Sequence, residues 1–139
     1  MRRLPVNLAD LAAVFDQPRR GPVCAFFDRS TGAIEEMPRD AEVEGVFDDI
    51  AAEPSRWIEI QPLPPSQRQA VRHRFVDETI DDPHERLRLA EALAAQPPFA
   101  RFEAMLRTAD ALDAWVAFRT SAFLPLMHAW LSALDIEPT

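Results

Sequence analysis
A chain of 139 residues is the size of one domain with a core of its own, so a single domain over 1–139 is expected. Its net charge of −8, from 15 basic and 23 acidic residues, argues against general nucleic-acid binding, which needs a positive surface. One cysteine excludes an internal disulfide and a cysteine-based zinc site. No run approaches the ~20 apolar residues of a membrane span.

A single cysteine fits a reducing, cytoplasmic setting. The opening "MRRLPVNLADL" has basic residues, but Pro5, Asn7 and Asp10 break its apolar run, so no signal peptide is expected. Every basic residue is an arginine, and lysine and tyrosine are absent. That bias, with abundant alanine and proline, points to GC-rich codon usage and a bacterial source. It also lowers the information each arginine carries.

Asn7 is placed to cap a first helix, with Leu8, Leu11, Ala12 and Phe15 on its apolar face and Pro18 beyond its end. The period then changes. In "PVCAFFDRSTGAIEEMP", Val23, Ala25 and Phe27 alternate with Cys24, Phe26 and Asp28, and Gly32 supplies a turn. This predicts a β-hairpin over about 22–37. Val43, Val46, Phe47 and Ile50 follow helical spacing within 40–53, up to Pro54. "RWIEIQPL" predicts a third strand over about 56–62, with Ile58 and Ile60 on one face and Trp57 and Glu59 on the other.

From about 65 to 135 the pattern is helical. Pro64 and Pro65 open a helix to about Thr79. Asp82, Pro83 and Glu85 form a helix start, and that helix runs to about Ala95. Gln96-Pro97-Pro98 breaks it and begins another, with Phe99, Phe102 and Leu106 inward. Asp110 is expected to cap the last helix. The whole predicts an α+β fold: a small three-stranded antiparallel sheet near the N-terminus and a predominantly helical C-terminal half.

The C-terminal half carries "PPFARFEAMLRTADALDAWVAFR" and then "AWLSALDI". Paired phenylalanines, Trp-x-x-Phe-Arg and a late Trp-Leu in that order, with "CAFFDRSTGAI", "WIEIQPLP" and "HRFVDE" upstream, resemble a family of small bacterial proteins catalogued as uncharacterised protein family 0158. The resemblance implies a bacterial cytosolic α+β domain and carries over no catalytic residue. Pro125 departs from the pattern's more regular last helix.

In "LDAWVAFRTSAFLPLMHAWL", taking Trp115 as zero, Leu112, Ala122, Phe123, Leu126 and Trp130 fall between about −20° and about +80°. Arg119 lies at about +40°, inside that stripe. One reading makes Arg119 an anion anchor in a pocket walled by Trp115, Phe118 and Trp130. The other pairs it with an internal acid or lets its head reach water. The aromatics themselves read as core or as a partner-binding surface. Pro125 is expected to kink the helix near Ser121 and Ala122.

His73 with Asp77, and His84 with Glu85, have spacings that can hold a divalent metal. Arg72 and Arg74 flank His73 and repel a cation. Cys24 has no base or positive field nearby in sequence and reads as structural. Glu35-Glu36 and Asp48-Asp49 read as solvated faces. No Gly-rich phosphate loop, nucleophile elbow or His-Glu-x-x-His is present, so no catalytic residue, cofactor or metal is assigned.

Two functional readings follow. The preferred one is a non-enzymatic module that docks a protein partner, or its own copy, through the C-terminal helices. The alternative is a small anion-binding protein or enzyme anchored by Arg119, with His73 or Glu103 nearest for acid–base work. Neither nucleic acid nor membrane is expected as a partner.

Overall fold
The computed structural model describes residues 1–39, 46–95 and 98–139. The architecture is α+β, as the sequence implies. The chain divides into two compact units, residues 1–63 with 123–139, and residues 64–122.

The first unit begins with β1 (Arg2–Leu4) and α1 (Leu8–Phe15). Asn7 caps α1, its side chain accepting from Asp10 N at 3.1 Å. The hairpin follows as β2 (Val23–Asp28) and β3 (Ile34–Pro38), then α2 (Val46–Ala52) and β4 (Trp57–Glu59). The sheet order is β3-β2-β4, antiparallel throughout. Phe27 pairs with Ile34 on one side and with Ile58 on the other. As the central strand, β2 is covered on both faces. Cys24, Ala25, Phe27 and Asp28 are all buried, so the simple alternation expected from the sequence does not set its burial. Residues 40–45, including Val43 of the expected amphipathic helix, lie outside the described residues.

The sequence offered no sign of a second sheet. β1 pairs in parallel with β5 (Ile136–Pro138), matching Arg2 to Ile136 and Leu4 to Pro138. Three-residue strands such as "RRL" and "IEP" are too short to show a period of two. Their partners come from opposite ends of the chain, which no local pattern reveals.

The second unit holds α3 (Pro65–Thr79), α4 (Pro83–Ala94), α5 (Pro98–Thr108) and the first half of α6 (Leu112–Ala133). Asp82 caps α4 by accepting from His84 N at 2.9 Å. Gln96 and Pro97, the expected break before α5, lie outside the described residues. Among the described residues, Phe75, Leu89, Leu93, Phe102, Leu106 and Trp115 are fully buried. Trp115 meets Phe75 and Phe102 edge-on, with ring centroids 5.4 and 5.7 Å apart.

Two local expectations are corrected. Asp110 does not cap α6. It has φ +56°, and Ala111 N donates to Leu106 O at 2.9 Å, which is the left-handed closure of α5. The cap position falls to Ala111, whose carbonyl accepts from Trp115 N at 3.0 Å. Nor does Leu126 belong to the apolar stripe, being 43% exposed. The buried row of α6 is Trp115, Phe123, Met127 and Leu131. Steps of four carry that row about 40° round the helix each time, away from the phase of Leu126. Pro125 sits on the exposed side of α6, which continues through it to Ala133.

Gly32 closes the β2–β3 turn with φ +82°. A Cβ built there would fall inside the contact distance of the Pro5 carbonyl oxygen, just beyond β1. Backbone conformation and close approach therefore both require glycine. Gly32→Ala is expected to lower stability by roughly 2–3 kcal/mol. The check is a lower urea midpoint with an unchanged denaturant slope.

Candidate functional site
The site begins with one buried acid. Asp28 is the last residue of β2 and is 2% exposed. Its first support is local. Ser30 N donates to Asp28 Oδ1 at 2.9 Å, an Asx turn leading into the Gly32 bend. Its second support comes from β4. Asp28 pairs with Trp57 across the sheet, which sets Arg56 at the strand's entry beside it.

Arg56 grips that carboxylate as a fork. Nε donates to Oδ1 at 3.0 Å and Nη2 to Oδ2 at 2.9 Å. Arg56 Nη1 reaches Glu53 Oε2 at 3.1 Å, and the guanidinium carbon lies 5.2 Å from the centre of the Trp57 ring. Arg29 N donates to Arg56 O at 2.8 Å and ties the two backbones together. The hydrogen bonds from Arg56 hold Asp28 down at about 2, against an ordinary value of 3.8. Burial opposes that shift, and the Ser30 and Thr31 hydrogen bonds reinforce it. The same fork raises Arg56 above its usual range.

Beside this pair lies a cleft of about 300 Å³ lined by Arg2, Arg29, Ser30, Ser55, Arg56, Leu134 and Ile136. All of these residues belong to the first unit. Three arginines thus share a hollow on a chain of net charge −8, and among the described residues no acid lines it. Arg2 Nη1 donates to Arg29 O at 3.0 Å, and Arg29 Nη1 approaches Ser55 O at 3.5 Å. These bonds orient the two side chains, and among the described residues most of their donors have no protein partner. Among the described residues no carboxylate lies within 4.0 Å of Arg2 or Arg29; Arg19, Arg20, Arg86, Arg88, Arg101 and Arg107 likewise have none, and Arg2 and Arg29 differ from these in sharing one hollow with Arg56. Leu134 and Ile136 add an apolar wall. The arrangement suits a group with several acceptor oxygens and a small apolar body.

The residues singled out from the sequence are placed otherwise. Trp115 is buried in the second unit, and Trp130 is half-buried in the first. Trp130 meets Phe27 and Phe15 edge-on at 5.4 and 6.3 Å. The two tryptophans therefore serve separate aromatic clusters. Phe118 is half-buried against Phe75 at 5.4 Å, with the Arg74 guanidinium 5.7 Å from its ring centre. Arg119 is half-buried, its guanidinium 5.8 Å from the Trp115 ring centre, and it is engaged within the protein. His73, Asp77 and His84 are exposed, and Glu85 and Glu103 are half-buried. Cys24 is buried, with Sγ 3.6 Å from Met37 O.

Two arginines of α3 take interior positions: Arg72, known from the sequence only as a flank of His73, and Arg68. Arg72 is 1% exposed and Arg68 is 7% exposed, both on α3. Their guanidiniums lie 3.9 and 4.6 Å from the centre of the Phe99 ring. Arg72 also lies 4.9 Å from the Trp115 ring and donates to Arg68 O at 3.0 Å. Both are engaged within the protein and act as core cations.

Fold and cleft together describe a small α+β protein with a cleft lined by three arginines and, among the described residues, no clustered metal ligands. Residues 19–139 match the model of the Uncharacterised protein family (UPF0158), and the chain belongs to that family. A protein of Pseudomonas aeruginosa named as a UPF0158 protein is 24% identical over 139 residues, covering 99% of this chain and 88% of that protein. No solved structure matches the chain. Among the described residues no helix is long and apolar enough to cross a membrane.

The Asp28–Arg56 pair makes a directional prediction about pH. A carboxylate depressed to about 2 adds stability that is complete above its unfolded value near 4 and is lost as pH falls towards 2. Wild-type protein should therefore lose this component between about pH 4 and 2. Asp28→Asn should lack it and be less stable at pH 7 by roughly 1–3 kcal/mol. Urea unfolding of both proteins across that range gives the difference directly.

Proposed function
We propose that this protein is a non-enzymatic binding protein whose Arg2–Arg29–Arg56 cleft takes an anionic group. The observation that carries this reading is the pair Arg2 and Arg29. They line a defined hollow without a carboxylate partner among the described residues, beside an Arg56 held by Asp28. Leaving two guanidiniums unmatched in a shared hollow favours anion capture. Binding is the better reading than catalysis, because the described lining of the cleft is arginine, serine and aliphatic, groups that bind an anion more readily than they move a proton or attack a bond.

The reading keeps the anion-binding class that Arg119 first suggested and moves the anchor to the first unit. Docking through the C-terminal aromatics has less support, because Trp115 is buried and the rings of Trp130 and Phe118 are engaged. A cytoplasmic setting goes with the proposal, since a chain with a single cysteine, Cys24, suits a reducing compartment.

Sulfate is a suitable first probe. It should raise the melting temperature of wild-type protein in a saturable way. The double variant Arg2→Ala, Arg29→Ala should bind it at least tenfold more weakly, a loss of about 1.4 kcal/mol. A folded Arg119→Ala variant should respond like wild type. A sulfate response that survives the double variant but disappears with Arg119→Ala would return the anchor to α6.

A further inference from the structure
We infer that the group recognised by the cleft is a dianionic phosphomonoester carried on a small molecule. The inference rests on the anion-binding reading of the same cleft and specifies its ligand. Three observations lead to it.

The first is charge. Asp28 compensates Arg56 through two hydrogen bonds, and Glu53 takes a third. Arg2 and Arg29 have no such acid among the described residues. Asp28 and Glu53 both stand against Arg56, so Arg2 and Arg29 are the two guanidiniums left to a ligand, and a dianion can meet both with a charge each, whereas a lone carboxylate meets them with one.

The second is donor geometry. Arg2, Arg29, Ser30 and Ser55, all residues with hydrogen-bond donors, line one hollow. A carboxylate has two oxygens in one plane. A phosphoryl group presents three terminal oxygens in a tetrahedron and can accept from donors on several sides at once. Sulfate esters have a similar shape but carry a single charge.

The third is size and lining. A hollow of about 300 Å³ is at the small end of ligand sites, and Leu134 and Ile136 give it an apolar wall. That leaves room for a phosphoryl group and a short organic body. It does not provide the extended groove that a phosphorylated peptide would need.

The test uses glycerol phosphate, a phosphoserine peptide, sulfate and acetate with the full chain, by calorimetry at pH 5 and pH 7.5. The second ionisation of a phosphomonoester lies near pH 6, so its dianion fraction rises about tenfold over that interval. The arginines stay charged throughout. The other charged groups around the cleft are Asp28 and Glu53 behind Arg56, Asp135 between the lining residues Leu134 and Ile136, and Glu137, which pairs with Arg3 on the neighbouring parallel sheet. Sulfate, a dianion at both pH values, reports any change arising from these protein groups.

Glycerol phosphate should bind about tenfold more tightly at pH 7.5 than at pH 5, sulfate equally at both, and acetate far more weakly than either. Arg2→Ala alone and Arg29→Ala alone should each reduce the phosphate affinity and flatten its pH dependence. If acetate binds as tightly as glycerol phosphate, or phosphate affinity is flat with pH, the dianion claim falls while anion binding stands. If a phosphoserine peptide binds and glycerol phosphate does not, the small-molecule claim is overturned. If none of the anions binds, both the inference and the reading beneath it fail.

Discussion
The first unit is organised around the two-pronged contact between Arg56 and Asp28. A carboxylate that is 2% exposed needs a cation and hydrogen bonds, and it receives both. That requirement fixes the end of β2 against the entry of β4, and the Arg29-to-Arg56 backbone bond locks the same corner. It also divides the arginines into two kinds. Arg56 is occupied by the fold, so its charge is largely cancelled where it stands. Arg2 and Arg29 are held by single bonds to backbone carbonyls, which orient them without neutralising them. The cleft follows from that division.

Much of the fold could be read directly. The hairpin, the third strand, the three middle helices and the cap at Asp82 follow from local periodicity and capping chemistry, and the structure reproduces them. The β1–β5 pairing was not legible, because it joins two three-residue segments from the ends of the chain. Asp110 misled for a physical reason. Aspartate is both a good helix cap and one of the few residues that tolerate the left-handed conformation, and here the second property decides.

The site was far less legible than the fold. Arg119 drew attention because it interrupts an apolar stripe on one helix. Yet α3 carried the stronger anomaly. Its buried row runs Arg68, Val71, Arg72, Phe75, Val76, with arginine at two of five helical positions. That spacing was visible in the sequence and could have marked both residues as core cations. The cleft itself had no comparable signal. Arg2, Arg29, Ser55 and Arg56 are ordinary surface residues one by one, and only the pairing of β1 with β5 and of β2 with β4 gathers them. In a chain whose every cation is arginine, residue type alone could not single them out.

The division between an occupied arginine and two available ones can be observed residue by residue. Side-chain Nε–Hε signals of arginine, followed by NMR during a sulfate titration, report each guanidinium separately. The signals of Arg2 and Arg29 should move with a common saturation curve. The Arg56 signal should stay in place and exchange slowly with water, because its Nε–H is bonded to Asp28. Movement of Arg56 in place of the other two, or no movement at any of the three, would contradict the account.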